Sequence, residues 1–327
     1  MSKPVIVSGI QPTGNLHLGN YLGAVKNWVD LQNSGKYKMY IFIADLHALT
    51  GNMEAEERRL QITRTVAELL AAGVDPKKTT LFVQSHVTGH TELGWILNCV
   101  TPVTELERMT QFKDKSIKQV KNINVGLLDY PVLQAADILL YHGNFVPVGE
   151  DQIQHVELTR DTARWFNNRF DEYFAEVKPL LTEVPKVKSL LEPEKKMSKS
   201  LGGGHVIELA DEPEVIEKKI KRAVTATEGG EKSLGVENLL LLLKQFGTKE
   251  QYKEFSLAEK NGSIRYGDLK KALTESISEH FREFRQKRND YMNHREKIVE
   301  ALEMGRRQAQ EVADDTMSKV RRLVGLE

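Results

Sequence analysis

Val5-Ile6-Val7-Ser8-Gly9-Ile10-Gln11-Pro12-Thr13-Gly14-Asn15-Leu16-His17-Leu18-Gly19-Asn20 is the stretch that decides how this chain folds. Val5 to Ser8 is a short, largely β-branched run closing on Gly9, and helical periodicity then runs from Leu18 to Gln32 through Leu22, Val25, Trp28 and Val29. The segment therefore reads as a strand, a glycine-punctuated turn and a helix. Gly9 lets the backbone turn tightly after the strand, and Gly14 and Gly19 keep it close to a ligand. The start of the helix aims unpaired N–H groups and a positive dipole end at an anion. His17 and Asn20 add hydrogen-bond donors without adding a nucleophile. Taken alone, the same residues describe equally well a capped helix after a strand, with a histidine at its shoulder.

The pattern repeats outward from that stretch. Lys38 to Ala44 (KMYIFIA) reads as a second buried strand closing on Asp45-Leu46-His47. Met53 to Ala72 is a long helix with a charged face, stopped by Gly73 and Pro76, and Thr79 to Ser85 is a third strand. Alternation of this kind predicts an α/β, Rossmann-like doubly wound parallel sheet with ligands at the strand C-terminal ends, where His17, His47 and Ser85 fall. From about Gly89 to Tyr141 the character is helical, with Thr104-Glu105-Leu106-Glu107 matching a capping box. Phe145 to Val148 looks like another buried strand, and Gly149-Glu150-Asp151-Gln152 leads into a helix reaching about Asn168. Asp211-Glu212-Pro213 opens a helix by acidic cap and proline entry, and nearly everything beyond is helical. The expected division is a catalytic domain with a helical insertion over 1–205 and a helical C-terminal domain over 206–327.

A chain of 327 residues is comfortable as two domains, and 40% hydrophobic with 28% charged residues reads as globular and soluble. No apolar stretch approaches the roughly 20 residues that span a bilayer, and the N-terminus lacks the apolar core and cleavage site of a signal peptide. The single Cys99 excludes an intramolecular disulfide framework and any multi-cysteine metal site, which makes the cytoplasm the default compartment. With apolar Leu97 and Val100 beside it, Cys99 is expected in the core; His155 is expected in helix packing or at solvent rather than on a metal. A net charge of +0 from 46 basic and 46 acidic residues argues against a wholly basic surface, though not against a local basic face.

A second segment complements the first. Lys195, Lys196 and Lys199 crowd positive charge, Ser198 and Ser200 add hydroxyl donors, and Gly202 to Gly204 permit movement. Lysine acts as a mobile point charge at phosphate, so the loop suits the β- and γ-phosphates of ATP as pyrophosphate forms. A solvated charge run is the plain alternative. The ordered pair of turn and loop is the stronger signal.

These segments resemble the two signatures of the class I aminoacyl-tRNA synthetases. His17-Leu18-Gly19-Asn20 is similar to "HIGH", with Asn20 where many members carry a second histidine, and Lys196-Met197-Ser198-Lys199-Ser200 matches "KMSKS" in full. Three further blocks, Glu107 to Lys115, Tyr130 to Tyr141 and Val146 to His155, resemble the bacterial tryptophanyl branch in order along the chain. The resemblance implies that Gln11, Pro12, Thr13, Gly19 and Asn20 contact ATP, with Gly149, Glu150 and Asp151 at the adenosine and Val187 near adenine. It implies that Lys196, Met197, Ser198, Lys199 and Ser200 close over the phosphates, with Lys115 as a further phosphate contact. Asp137 would accept the indole N–H of tryptophan, while Val7, Gly9, His47 and Gln152 line the amino-acid pocket. Gln134 stands where some members have methionine.

The implied chemistry is attack of an amino-acid carboxylate on the α-phosphorus of ATP, then transfer of the aminoacyl group to the end of tRNA(Trp). The carboxylate is already ionised at neutral pH, which fits motifs without an activated serine or cysteine. Alignment and stabilisation of phosphate charge remain, with His17, Asn20, Lys196 and Lys199 as candidates and Mg²⁺ carried by the triphosphate. An indole offers one donor and no acceptor, so a carboxylate is its fitting partner. On local sequence alone, a structural N-cap or an ion-paired aspartate is the favoured reading of Asp137, and the resemblance reverses that order. Arg282, Arg285, Lys287, Arg288 and Arg295, interleaved with Phe281, Phe284 and Tyr291, and with Gly305-Arg306-Arg307 and Lys319 to Arg322 adding charge, read equally as a tRNA-contacting or a solvated amphipathic helix, and the resemblance implies the former. A homodimer follows from the resemblance. The alternatives are a tyrosine-specific relative, a small-molecule adenylyltransferase, which has no need of the helical C-terminus, and a non-catalytic tRNA-binding paralogue.

Overall fold

Strands that are apolar along their whole length, without polar alternation, fit a sheet covered on both faces. In the computed structural model, which describes residues 3–110, 124–149, 152–181, 185–225 and 233–327, the expected runs form β1 (Val5–Ile10), β2 (Lys38–Ile43), β3 (Thr79–Val83) and β4 (Phe145–Val148). A fifth strand, β5 (Lys178–Leu181), lies at the edge. Four residues with a proline at Pro179 give little strand signal, and an edge is where proline is tolerated. All pairings are parallel in the order β3-β2-β1-β4-β5. The chain leaves β1 to one side and returns on the other, so the strand order reverses between β1 and β4, and such sheets bind ligands at the carboxyl edge of that point.

Two compact units divide the chain, and both are discontinuous. One comprises Met1–Gly14, Trp28–Thr182 and His294–Glu327; the other comprises Asn15–Asn27 and Glu183–Asn293. The division of roles expected at residue 205 is thus not how the compact units cut the chain. The last helix, Arg295–Val324, belongs with the sheet. The middle of its buried face is built from small residues, Ala301, Gly305, Ala309 and Ala313, with Ile298 before them and Thr316, Met317 and Val320 after them. Gly305 lies so close to β3 that a Cβ there would sit 1.9 Å from the Leu81 carbonyl oxygen. Arg321 then grips Glu92 through two bonds of 2.7 and 2.6 Å, and the Thr316 hydroxyl donates to the Leu140 carbonyl at 2.9 Å.

Two local expectations change. The helix Val103–Arg108 is entered through Pro102 with no side-chain cap, so Thr104 is already inside the helix and makes no capping box. Cys99 is exposed, because it caps the C-terminus of the helix Gly89–Asn98, whose buried residues include Leu93, Ile96 and Leu97. Among the described residues no helix is long and apolar enough to cross a membrane.

Candidate functional site

In the unit that carries His17, two segments nearly two hundred residues apart are stitched by a short antiparallel pairing. Leu18 donates its N–H to the Ile207 carbonyl at 3.0 Å, and Leu209 donates to Leu16 at 2.9 Å. The lysine-serine loop is anchored in turn by Met197, which donates to the Val187 carbonyl at 3.0 Å and is itself buried. Val187 is buried as well, so it offers the loop a rigid backbone edge. Around His17 the helix entry is a reciprocal capping box: Gly19 N–H donates to His17 Nδ1 at 3.1 Å, and His17 N–H donates to Asn20 Oδ1 at 3.2 Å. That arrangement consumes the acceptor atoms of both side chains and turns His17 Nε2 and the Asn20 amide into donors. Tyr21–Val25 follows as a π-helical turn, a distortion that favours functional sites. Burial, and the positive Lys199 and Lys196 beside it, lower the His17 pKa to about 4, so the ring is neutral at physiological pH. Ser198 and Ser200 hydroxyls lie 2.9 Å apart, and Gly202, at φ 113°, ends the loop in a conformation that suits glycine.

In the sheet-bearing unit, Asp137 is the hub. It sits in the helix Val125–Leu139 and is 1% exposed. Its Oδ2 accepts from His47 Nε2 at 2.8 Å, and its Oδ1 accepts from Gln84 Nε2 at 2.7 Å and His90 Nδ1 at 2.6 Å. Burial alone would raise this carboxyl, but the hydrogen bonds from His47 and His90 and their positive potential outweigh it and hold the pKa at about 2. His90 Nε2 in turn meets the Tyr141 hydroxyl at 2.8 Å. His47 and Gln84 begin the short turns that follow β2 and β3, so the carboxyl edge of the sheet delivers them.

The sequence profile of the tRNA synthetases class I (W and Y) matches residues 1–282. The chain is 46% identical to a tryptophan–tRNA ligase of Streptomyces avermitilis over 99% of its length and 97% of that protein's. It is 42% identical to a tryptophan–tRNA ligase of Clostridium tetani, covering 99% of this chain and 96% of the other. The chain belongs to the class I tRNA synthetases of the W and Y family. The tryptophanyl-tRNA synthetase of Campylobacter jejuni, described in complex with ADP and tryptophan, superposes with a TM-score of 0.86 at 35% identity, covering 98% of this chain and 99% of that one.

The remaining expected site residues of the synthetase fall as follows. Gln11, Pro12 and Thr13 directly follow β1, with Gln11 and Thr13 exposed and Pro12 buried. Gly149 follows β4 and accepts from the Gln152 N–H at 3.0 Å, and Gln152 leads into the helix Ile153–Arg169. Glu150, Asp151 and Lys115 lie outside the described residues. Val7 is fully buried, and Gly9 leaves room for the Phe42 ring, which a Cβ would approach to 2.6 Å. His155 is buried and bonds the Tyr130 hydroxyl at 2.9 Å. Sequence reading missed Gln84, His90 and Tyr141. Gln84 was findable, since it stands at the end of a strand whose neighbour Ser85 was noticed.

The basic helix of the synthetase is less open than its sequence implies. Arg285 is 8% exposed and donates to the Ser278 carbonyl at 2.7 Å, and Phe281 and Phe284 are buried. Charge alone did not reveal this, because an arginine on a helix interior face reads like one outside. Arg306 and Arg307 both pair with Glu303, and Lys319 pairs with Asp315.

Proposed function

We propose that the synthetase activates L-tryptophan with ATP, forming tryptophanyl-adenylate and pyrophosphate, and transfers tryptophan to the 3′ end of tRNA(Trp). The observation that carries the choice of amino acid is the Asp137 carboxylate, buried, ionised and offering only acceptor atoms. An indole N–H adds a fourth donor to those of His47, Gln84 and His90, and a side chain with no donor forfeits that charge-assisted bond. The Campylobacter jejuni relative described with ADP and tryptophan supports an adenine nucleotide and tryptophan as the ligands.

The tryptophan carboxylate needs no base, so the work left to the protein is alignment and charge. His17 Nε2 and the Asn20 amide donate to ATP oxygens, and Lys196 and Lys199 neutralise the departing pyrophosphate. Gln11, Pro12, Thr13, Gly19 and Gly149 shape the nucleotide contacts, with Glu150 and Asp151, and Val187 backs the loop of Met197, Ser198 and Ser200. Val7, Gly9, His47 and Gln152 frame the amino acid. Mg²⁺ enters as part of the ATP substrate.

Residues beyond 205 take the tRNA, and the enzyme works in the cytoplasm as a homodimer. Trp95, Val103 and Val125, exposed by 71%, 58% and 79%, stand on helices of one unit and are candidates for the dimer face. Pyrophosphate exchange measured with each of the twenty amino acids in the absence of tRNA tests the reading. Exchange with tryptophan alone is expected. Exchange with tyrosine instead, or with no amino acid, would overturn it.

A further inference from the structure

The geometry points to His90 and Tyr141 as positioning residues for specificity: together they fix the Asp137 carboxylate so that one acceptor position, on Oδ2, is left for the substrate donor. This rests on the reading of Asp137 as the indole acceptor.

A carboxylate offers about four lone-pair positions, two on each oxygen. Oδ1 is filled by Gln84 Nε2 and His90 Nδ1, whereas Oδ2 receives only His47 Nε2 among the described residues. The saturated oxygen cannot serve a ligand, so the one that can lies beside His47.

Which oxygen is saturated depends on His90 keeping its orientation. Its ring is fully buried and boxed by aromatic rings, with centroids 5.8 Å from Phe42, 5.9 Å from Phe82 and 5.4 Å from Tyr141. Since a carboxylate donates nothing, Nδ1 must carry hydrogen, and Nε2 on the far side of the ring is held by the Tyr141 hydroxyl. Tyr141 is clamped by stacking on Tyr40, with centroids 4.6 Å apart and planes at 18°. The chain Tyr141 to His90 to Asp137 therefore sets both the orientation of the imidazole ring and the rotation of the carboxylate. Neither His90 nor Tyr141 needs to touch the substrate.

The experiment compares His90→Leu, His90→Asn and Tyr141→Phe in pyrophosphate exchange, using tryptophan and the isostere in which sulfur replaces the indole N–H. A lost hydrogen bond to a buried charge corresponds to roughly ten-fold in affinity or more. His90→Leu is expected to raise the tryptophan KM about ten-fold with the ATP KM unchanged, and to shrink the preference for tryptophan over the sulfur isostere. His90→Asn, whose amide nitrogen can stand where Nδ1 stands, should recover most of that preference, and Tyr141→Phe should show a smaller loss of the same sign. Equal changes in both KM values, an unaltered preference in the variants, or an asparagine no better than leucine would overturn the inference. If only the milder two variants fold, their order decides it. A wild-type enzyme that does not exchange with tryptophan would instead sink the underlying assignment, so the two failures are distinguishable.

Discussion

Gly19 donates its backbone N–H to Nδ1 of His17 across 3.1 Å, and that single bond settles where the histidine keeps its hydrogen. With Nδ1 accepting, the neutral ring carries hydrogen on Nε2 and presents a donor. Burial, with Lys199 and Lys196 nearby, lowers the pKa from 6.5 to about 4. An NMR titration should therefore find the His17 midpoint near 4 and the ring neutral throughout the physiological range. Replacing both lysines by methionine should move the midpoint up only part of the way, because burial is the larger cause. The folded state resists protonation that the unfolded chain accepts below 6.5. This residue's stabilising contribution is therefore complete above pH 6.5 and fades as pH falls toward 4. His17→Ala should reduce exchange about 100-fold, the usual scale for losing one donor to developing oxyanion charge.

Gly19 matters for space as well as for its N–H. A Cβ there would lie 2.9 Å from His17 Cε1 and 3.0 Å from Nδ1. Gly19→Ala should displace the imidazole rather than unfold the protein. The expected result is an unchanged melting temperature within a few degrees and a kcat lowered at least as far as in His17→Ala. An alanine variant with wild-type kcat would show that the ring position is not critical.

The sheet was legible because β1 to β4 carry largely apolar runs, so residue type and burial coincide. Phe145–Val148 was read to the residue, while Lys178–Leu181 was invisible because an edge strand is specified by its neighbour rather than by itself. The same distinction holds in the site. His17 and Lys196 to Ser200 announce themselves by composition, but the pairing of Leu16 and Leu18 with Ile207 and Leu209 that brings them together is made by backbone atoms of ordinary residues. His90 escaped notice for a related reason: nothing in Thr88-Gly89-His90 says that the ring will be buried against Asp137, a contact spanning 47 positions. The seating of the final helix on β3 was not legible, because the small residues that make it carry no charge, while the arginines around them do.

Asp137 joins catalysis to stability. Its carboxyl is held at about 2 against an ordinary 3.8, so the charged form stabilises the fold fully above about pH 4, and the contribution is lost as pH falls toward 2. Asp137→Ala leaves His47, Gln84 and His90 without their shared acceptor and should cost about 3 to 5 kcal/mol in denaturant unfolding. In the folded fraction the tryptophan KM should rise far more than the ATP KM. Equal increases in the two would remove Asp137 from the amino-acid pocket.

Arg285 and Lys287 separate packing from recognition. Arg285 is buried and ties its helix to the Ser278 carbonyl, so Arg285→Ala should lower stability by about 2 kcal/mol and affect every activity in proportion. Arg282 and Lys287 have side chains exposed by 67% and 53% and, among the described residues, pair with neighbouring glutamates on the surface. Reversing both charges should weaken tRNA charging several-fold at moderate salt while leaving pyrophosphate exchange intact, with the defect growing smaller as salt rises. Loss of exchange in the double reversal would instead indicate a folding defect.

Trp95 is the largest apolar side chain left open, at 71% exposure, and a residue of this type carries a heavy share of binding energy where it is covered. Val103 and Val125 are exposed on the helices that begin at those residues. Burying a tryptophan at the centre of a contact is worth at least about 2 kcal/mol, or roughly thirty-fold in affinity. Trp95→Glu places a charge at that point, which must be stripped of water if the face is to close. Light scattering should give twice the chain mass of 37.1 kDa for the wild type and the single-chain mass for the variant, with the circular dichroism spectrum unchanged. A wild type that scatters as one chain at micromolar concentration would rule out the dimer, and a dimeric Trp95→Glu variant would move the contact to another face.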